Sequence, residues 1–502
     1  MTPNTSMTHD HKEPSIQNTA LLFIVLAPIA IIFYALYVFN PSNHGTLWLY
    51  ILQVIADCIA IMTMSTLWIT ILLDIIQSGT KSKQLRYSDL WLDQHRPTAD
   101  IFITVFNEPL HIVKKTIAAA LKQTYPVSVY VLDDGESAEL ELYCKIHGIF
   151  YASRPLYERK HAKAGNINFG LLHARSPFFA VLDADQVPKP IFIEELLPYF
   201  CDNRVALVQS PQHFMNTHSF IALGTAQAQE IFYRYVQPAK NSFNASFCVG
   251  TNMIFRRSAI EAIGGVYPID HSEDIWTTIQ LHKQGYQSVF HRTILAEGRA
   301  PETIQAYFRQ QSRWARGGFE MFFYHNPLFI KELSIDQRIQ YLFSNFHYFS
   351  GFAVLIYLLL PLLYLLFGIH PMNIQSGPAW FLHYLPYFSV VYFLPVFLLG
   401  SLEIATLSTS LATFAPYVGA CLSVLFGAKF QWVSTGSNKS SAIMTNIWPH
   451  LFLVSLSIVA IPIGWYNPLD PITTTISSVW TAIHTYLLLR FIRHGTNGNQ
   501  QI

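Results

Sequence analysis

The chain has 502 residues, 51% hydrophobic and 15% aromatic but only 13% charged, with a net charge of +1. Soluble proteins carry about 25% charged residues, so the composition fits a membrane protein with one soluble part; the near-zero balance gives no ground for a nucleic-acid partner. Five cysteines, Cys58, Cys144, Cys201, Cys248 and Cys421, lack metal-ligand spacing, and their odd number argues against a disulfide framework and for a reducing compartment around the soluble part.

Residues 1–19 are polar and lack the basic n-region and small-residue cleavage site of a signal peptide, so the apolar run that follows is expected to stay as an anchor. A membrane span needs roughly 20 apolar residues. Residues 20–39 and 47–73 qualify, then hydropathy drops until 349–368, 381–402, 448–466 and 472–492. The loops 40–46, 369–379 and 467–471 hold no Lys or Arg, whereas Lys81, Lys83, Arg86, Lys429, Lys439 and Arg493 fall on the other side. The positive-inside rule then gives six spans with both termini in the cytosol. The expected layout is a tail (1–19), two spans (20–76), a cytosolic domain with interface helices (77–340), four spans (341–492) and a tail (493–502). Within the last spans, 403–430 is interrupted by Glu403, Ser/Thr and Pro416, which favours a cytosolic interfacial helix over a seventh span. Asp57, inside the second apolar run, reads equally as a helix–helix hydrogen bond or as a channel-lining group.

In the soluble part, strands alternate with helices. ADIFITVF (99–106) reads as a buried strand, HIVKKTIAAALKQ (111–123) as a helix, and VSVYVLDDG (127–135) and FFAVLDADQ (178–186) as strands ending in carboxylates. Such alternation predicts a mostly parallel sheet with helices on both faces, and such sheets bind ligands at the carboxyl ends of their strands. Asp133 and Asp134 fall at one such end, Asp183 and Asp185 at another, and HSEDIW adds Glu273 and Asp274. Alone, each cluster is most often a solvated turn. Together they suit a hard divalent cation, since Mg²⁺ commonly takes one or two carboxylates plus substrate phosphates, and a separate carboxylate can deprotonate a hydroxyl. Lys163 in KHAKAGNIN (160–168) reads either as a phosphate contact or as an exposed helix start. This set points to transfer from a nucleotide-diphosphate donor to an alcohol.

The ordered series DDG, HAKAGN, DAD, VQSPQ, FCVGTN, SEDIWT and QQSRW across residues 95–320 resembles the processive β-glycosyltransferases of glycosyltransferase family 2, which include bacterial cellulose, curdlan, chitin and hyaluronan synthases. The resemblance implies an α/β GT-A domain inserted in a helical membrane domain of about six spans, in the plasma (bacterial inner) membrane. It implies a UDP-sugar donor, UDP-glucose first, Mg²⁺ or Mn²⁺ as cofactor, a growing polysaccharide acceptor and membrane lipid around the spans, and leaves room for accessory export subunits. Asp133, Asp134, Phe106 and Glu108 would hold the nucleoside side of the donor, and Lys163, Asp183, Gln310 and Arg313 its diphosphate side. Asp183 and Asp185 would hold the metal, and Asp274 would be the general base. Glu273, Cys248 and Trp314 would meet the acceptor. In QQSRW (310–314) the bland reading is an interfacial helix anchored by Trp314; beside the carboxylate clusters, an aromatic face for a sugar ring and a guanidinium fork for a diphosphate read better.

Departures also stand in the sequence. Val105–Phe106–Asn107–Glu108 replaces the Thr-Tyr-Asn-Glu of cellulose synthases, FCVGTN is nearer to curdlan-type or mixed-linkage synthases, and FQWVSTGSNK (430–439) only loosely matches a gating loop, with Trp432 and Thr435 as the equivalents. The residues after Ile492 leave no room for a cyclic-di-GMP-binding PilZ domain, so such control is expected on another subunit. Two further readings stay open: non-processive transfer of a sugar to a lipid phosphate, and a transporter or membrane scaffold with a degenerate domain.

Overall fold

The computed structural model describes residues 18–78, 88–373, 377–428, 443–467 and 469–496. Trp432, Thr435 and the basic residues Lys81, Lys83, Arg86, Lys429 and Lys439 lie outside the described residues. Two units are distinguished, Met1–Asn43 with Ile374–Leu402, and His44–Asn373 with Glu403–Ile502. In the first, helix Asn18–Val38 packs on helix Gly377–Leu399. Aromatic rings join them: Tyr34 stacks on Tyr387 at 4.4 Å and Phe33 on His383 at 4.2 Å between centroids.

The second unit holds the sheet. Its strands are β1 (Ala99–Val105), β2 (Val127–Asp133), β3 (Phe150–Ala152), β4 (Phe178–Asp183), β6 (Val205–Gln209), β7 (Met253–Arg256) and β8 (Gln287–Phe290), and a separate ribbon pairs β5 (Val187–Pro188) with β9 (Ala296–Glu297). The order is β3-β2-β1-β4-β7-β6-β8. Within this seven-stranded sheet all pairs are parallel except β4–β7 and β6–β7. β1 is buried along its whole length, as strands covered on both faces are. Alternation divides its side chains: Ile101, Ile103 and Val105 enter one core with Val113, Ile117 and Val131. Phe102 enters the other with Leu132, Ile167, Phe179 and Val181.

Register then decides where the chemistry falls. Val105 pairs with Asp133 and Thr104 with Asp183, so both acidic turns leave the sheet at the same edge. β7 runs the other way, with Met253 opposite Val181 and Gln209. Its reversal brings residues 248–252, which precede it, to that edge together with Gln209.

Among the described residues, five helices are long and apolar enough to cross a membrane: Leu47–Leu73, Ile335–Phe367, Gly377–Leu399, Ile404–Leu425 and Ile447–Tyr466; Ile24–Val38 is apolar but shorter. The run at 472–492 does form a helix, Pro471–Thr496, but its Thr- and Ser-rich first turns dilute its hydropathy. Ile404–Leu425 is divided at Thr413 into Ile404–Ala412 and Phe414–Leu425, and more than half of it is buried inside the protein. Asp57 accepts a hydrogen bond from the Tyr357 hydroxyl at 2.7 Å, from helix Leu47–Ser78 to helix Ser350–Phe367. That is the helix–helix reading of this residue.

Candidate active site

The DDG turn is built around its own carboxylates. Asp133 is fully buried and accepts from the Gly135 N–H at 2.6 Å, the Ser137 N–H at 2.9 Å and the Tyr151 hydroxyl at 3.0 Å. Asp134 takes the fork of buried Arg154, Nε at 2.9 Å and Nη2 at 2.5 Å. The same guanidinium donates to the carbonyls of Glu158, Lys160 and Ala162, so it fixes the loop that leads into helix Ala162–His173. Gly165 is required there because a Cβ would lie 2.1 Å from the Lys160 carbonyl oxygen and 2.3 Å from Arg154 Nη1. His161 and Ala162, both with positive φ, complete the turn. The DDG and HAKAGN motifs are thus one construction joined by Arg154, a residue that sequence reasoning passed over. A planar fork on a buried carboxylate is a role lysine does not fill.

Beside this turn, Glu108 accepts from the Phe106 N–H at 2.5 Å. Burial raises its carboxyl above the ordinary range, with Asp183 and Asp133 adding to the shift. Asp185 is pushed up to about 7, first by burial and then by Asp183 and Glu108. Glu108, Asp183 and Asp185 therefore face one another closely enough to repel. Lys163 is paired with Asp183 and donates to the Gly250 carbonyl at 2.7 Å. Burial opposes its charge, but Asp183 and Glu273 more than offset that, and the ammonium is held above its usual pKa.

Gly250 joins this cluster to the next. A Cβ there would lie 3.5 Å from Asp274 Oδ2 and 3.8 Å from Lys163 Nζ, and its φ of +89° suits glycine. Asp274 and Glu273 open helix Glu273–Lys283, and Asp274 Oδ1 accepts from the Ile275 N–H at 2.8 Å. Burial and Glu273 raise the Asp274 carboxyl to about 7, against the opposing pull of that N–H, Lys163 and Arg313. Arg313 of QQSRW is therefore within electrostatic reach of Asp274.

Helix Ile304–Tyr324 carries QQSRW. It is set against the Asp274 turn by Gly317, where a Cβ would meet Ser272 Oγ at 1.9 Å. Glu320, one turn on, pairs with His271 and accepts from Arg316 at 2.8 Å. Gln311 is buried and accepts from the Tyr417 hydroxyl at 2.9 Å, so it ties this helix to Phe414–Leu425. Gln310 differs: its Oε1 is buried without a hydrogen-bond partner among the described residues. Trp314 and Arg313 are partly exposed.

Cys248 is brought near these groups, but its side chain points into the core. It is fully buried, with Sγ 2.9 Å from Met253 Sδ, and burial raises its thiol pKa far above the ordinary range. What meets the site from FCVGTN is the Gly250 carbonyl and the Thr251 hydroxyl, which accepts from the Asp183 N–H at 2.9 Å. Buried Gln209, from VQSPQ, shapes this segment: Oε1 accepts from the Val249 N–H at 3.0 Å and Nε2 donates to the Ser210 and Thr251 carbonyls, each at 2.7 Å. Gln212, the last residue of VQSPQ, accepts from Tyr233 at 2.9 Å. Tyr233 sits in a π-helical turn, Phe232–Val236, and burial followed by Asp274 raises its phenol pKa. π-Turns occur often at functional sites, but nothing in hydropathy marks one.

Among the described residues no three Asp, Glu, His or Cys side chains converge enough to hold a metal unaided. The oxygen-only pair Asp183 and Asp185, within electrostatic reach of Glu108, does fit a hard cation that completes its shell with phosphate and water.

Residues 178–401 match the family model described as Glycosyl transferase family group 2. The cellulose synthase catalytic subunit (UDP-forming) of Pseudomonas fluorescens is 36% identical over 296 residues, which cover 57% of this chain and 40% of that one. Its counterpart in Xanthomonas axonopodis is 33% identical over 264 residues, covering 51% and 36%. About half of this chain is thus similar to these cellulose synthase subunits, and residues 178–401 to the family 2 glycosyltransferase model. The chain spans less than half the length of these two relatives. The seven-stranded, mostly parallel sheet and the apolar helices fit the α/β domain and helical membrane part expected from the sequence. A mannosyltransferase from Pyrobaculum calidifontis, solved with GDP-Man and Mn²⁺, gives a TM-score of 0.48 at 15% identity, covering 72% of this chain and all of that one.

Proposed function

We propose that this chain is a membrane-embedded, processive, inverting glycosyltransferase that polymerises a β-glucan from UDP-glucose and passes it across the bacterial inner membrane. The observation that carries this reading is the juxtaposition of Asp274, Gly250, Lys163 and Asp183 at one sheet edge. It puts a raised-pKa carboxylate beside a cation and an oxygen-ligand pair, within the electrostatic reach of Arg313.

The acceptor hydroxyl oxygen attacks the anomeric carbon, the bond from that carbon to the UDP oxygen breaks, and Asp274 takes the hydroxyl proton. One displacement converts an α-linked donor into a β linkage. A divalent ion, Mg²⁺ or Mn²⁺, held by Asp183 and Asp185, would supply positive charge to the leaving diphosphate. Lys163 and Arg313 add fixed charge to the same side. Phe106 stacks on the uracil, and the DDG turn with Glu108 shapes the nucleoside end. Since the oxygens of Asp133 and Asp134 already accept from the protein, their contribution is chiefly to hold that turn. Gln310, with an unsatisfied buried acceptor, is suited to a sugar hydroxyl, and Trp314 to the face of the acceptor ring. Glu273 and the Cys248–Gly250 backbone border the acceptor side. The layout is that read from the sequence, with the catalytic domain (77–340) and both termini cytosolic, and the segment 403–443 at the interface.

Membranes containing the protein, given labelled UDP-glucose and Mg²⁺, are expected to yield ethanol-insoluble product. Label that partitions into organic solvent would instead indicate transfer to a lipid phosphate, and no turnover of any UDP-sugar would leave a transporter or scaffold.

A further inference from the structure

Lys163 stands between two oxygens that other cations would also seek. Its ammonium is paired with Asp183 Oδ1 and donates to the Gly250 carbonyl. The Thr104 hydroxyl approaches the same Asp183 oxygen at 3.4 Å, and the Asp183 N–H donates to Thr251 Oγ1 at 2.9 Å. Asp183 is therefore fixed at the end of β4 with one carboxylate oxygen already committed. The backbone under Lys163 is equally fixed. Arg154 holds the carbonyls that precede it, and the Asn166 amide donates to the Leu132 carbonyl at 2.8 Å. What can move is the flexible four-carbon stem of the lysine, a compact point charge.

Two like charges cannot share Asp183 cheaply. A divalent ion arriving alone must push the ammonium off Asp183 with no new anion to receive it, only Glu273 and Asp274 across Gly250, whose charge it already feels. An ion arriving with a diphosphate brings that anion with it.

We infer that Lys163 is the resident counter-ion of the donor site, neutralising Asp183 until a nucleoside diphosphate draws the ammonium away and leaves Asp183 to the divalent ion. The inference rests on the glycosyltransferase reading and adds a binding order to it: metal and nucleotide enter together, each strengthening the other by the same factor.

The test is Mn²⁺ binding to the full-length protein in nanodiscs, followed by electron paramagnetic resonance with and without UDP. Wild type is expected to bind Mn²⁺ at least about tenfold more tightly with UDP than without it. Lys163→Met should bind Mn²⁺ alone about tenfold more tightly than wild type, with a smaller gain from UDP. Lys163→Arg, which keeps a cation, should stay weak. The inference is overturned if wild type binds Mn²⁺ equally well with and without UDP. It is also overturned if Lys163→Met binds Mn²⁺ alone no better than wild type while UDP-dependent binding persists. The donor site itself would survive either result. Failure of wild type to bind Mn²⁺ even with UDP would instead remove the donor-site reading, and this inference with it.

Discussion

Asp274 lies at the start of its helix, under opposed influences. Burial and Glu273 favour its protonated form, while the Ile275 N–H, Lys163 and Arg313 favour the anion. A base must be deprotonated to act, so with a carboxyl near 7 the rate should climb as pH rises through about 7 and level off above it. The kcat/KM profile in the presence of saturating Mg²⁺ checks this. A profile already flat down to pH 5 would remove Asp274 from the role. Asp274→Asn should lower turnover by about 10²–10⁴-fold, the usual worth of a general base, with UDP binding retained. The acidic residues and Lys163 were legible because charge at strand ends and in short turns stands out against an apolar sequence. Arg154 was not: its partner Asp134 is twenty residues away, and only the folded chain makes the pair. Cys248 shows the converse, since a motif can place a residue near a site while packing turns its side chain into the core.

Two close approaches between elements hold the site together. Gly165 lets the lysine helix start against Arg154, and Gly317 lets the QQSRW helix rest on Ser272. Adding a methyl group at either place forces a shift, typically costing about 1–3 kcal/mol. Gly165→Ala should raise the KM for UDP-sugar with a smaller change in kcat, because it disturbs the donor turn and leaves Asp274 alone. Gly317→Ala should do the reverse, lowering kcat with UDP binding retained, because it presses on the turn that starts the Asp274 helix. Steady-state kinetics of both variants separates them, and the same KM–kcat pattern in the two would contradict this division. The strands β1, β2 and β4 were readable to within three residues, since each is an apolar run ended by polar turn residues. The reversal of β7 was not, because hydropathy carries no strand direction. Yet that reversal delivers residues 248–252 to the carboxylates. Helix boundaries around 404–425 were ambiguous for a related reason: moderate hydropathy describes both a span and a helix packed within the protein, and only contacts such as the Gly224–Ala405 approach of helix Phe220–Ile231 distinguish packing from exposure.

At the scale of the molecule, the low charge of the sequence and, among the described residues, an α/β domain with apolar helices fit the proposed synthase at a membrane. Orientation is open to direct chemistry. Cys201, in the α/β domain, is exposed, and so is Cys58, but within the apolar helix Leu47–Leu73; Cys144, Cys248 and Cys421 are buried. A membrane-impermeant maleimide should therefore label Cys201 only when the cytosolic face is accessible, as in inverted vesicles. Labelling in right-side-out vesicles alone would reverse the topology. Broad class was legible at this scale because hydropathy sums over long windows, while the sugar and the linkage of the proposed product would depend on a few side chains around the acceptor. The central claim, polymerisation by one protein that keeps its product, is tested most directly by chain length at low conversion. Purified protein in proteoliposomes is given excess labelled UDP-glucose and Mg²⁺, and product is sized when only a small fraction of the donor has been used. A processive synthase yields long β-linked chains already at that point, with little material of intermediate length. Short products that lengthen in step with donor consumption, or a single sugar on lipid, would contradict the account.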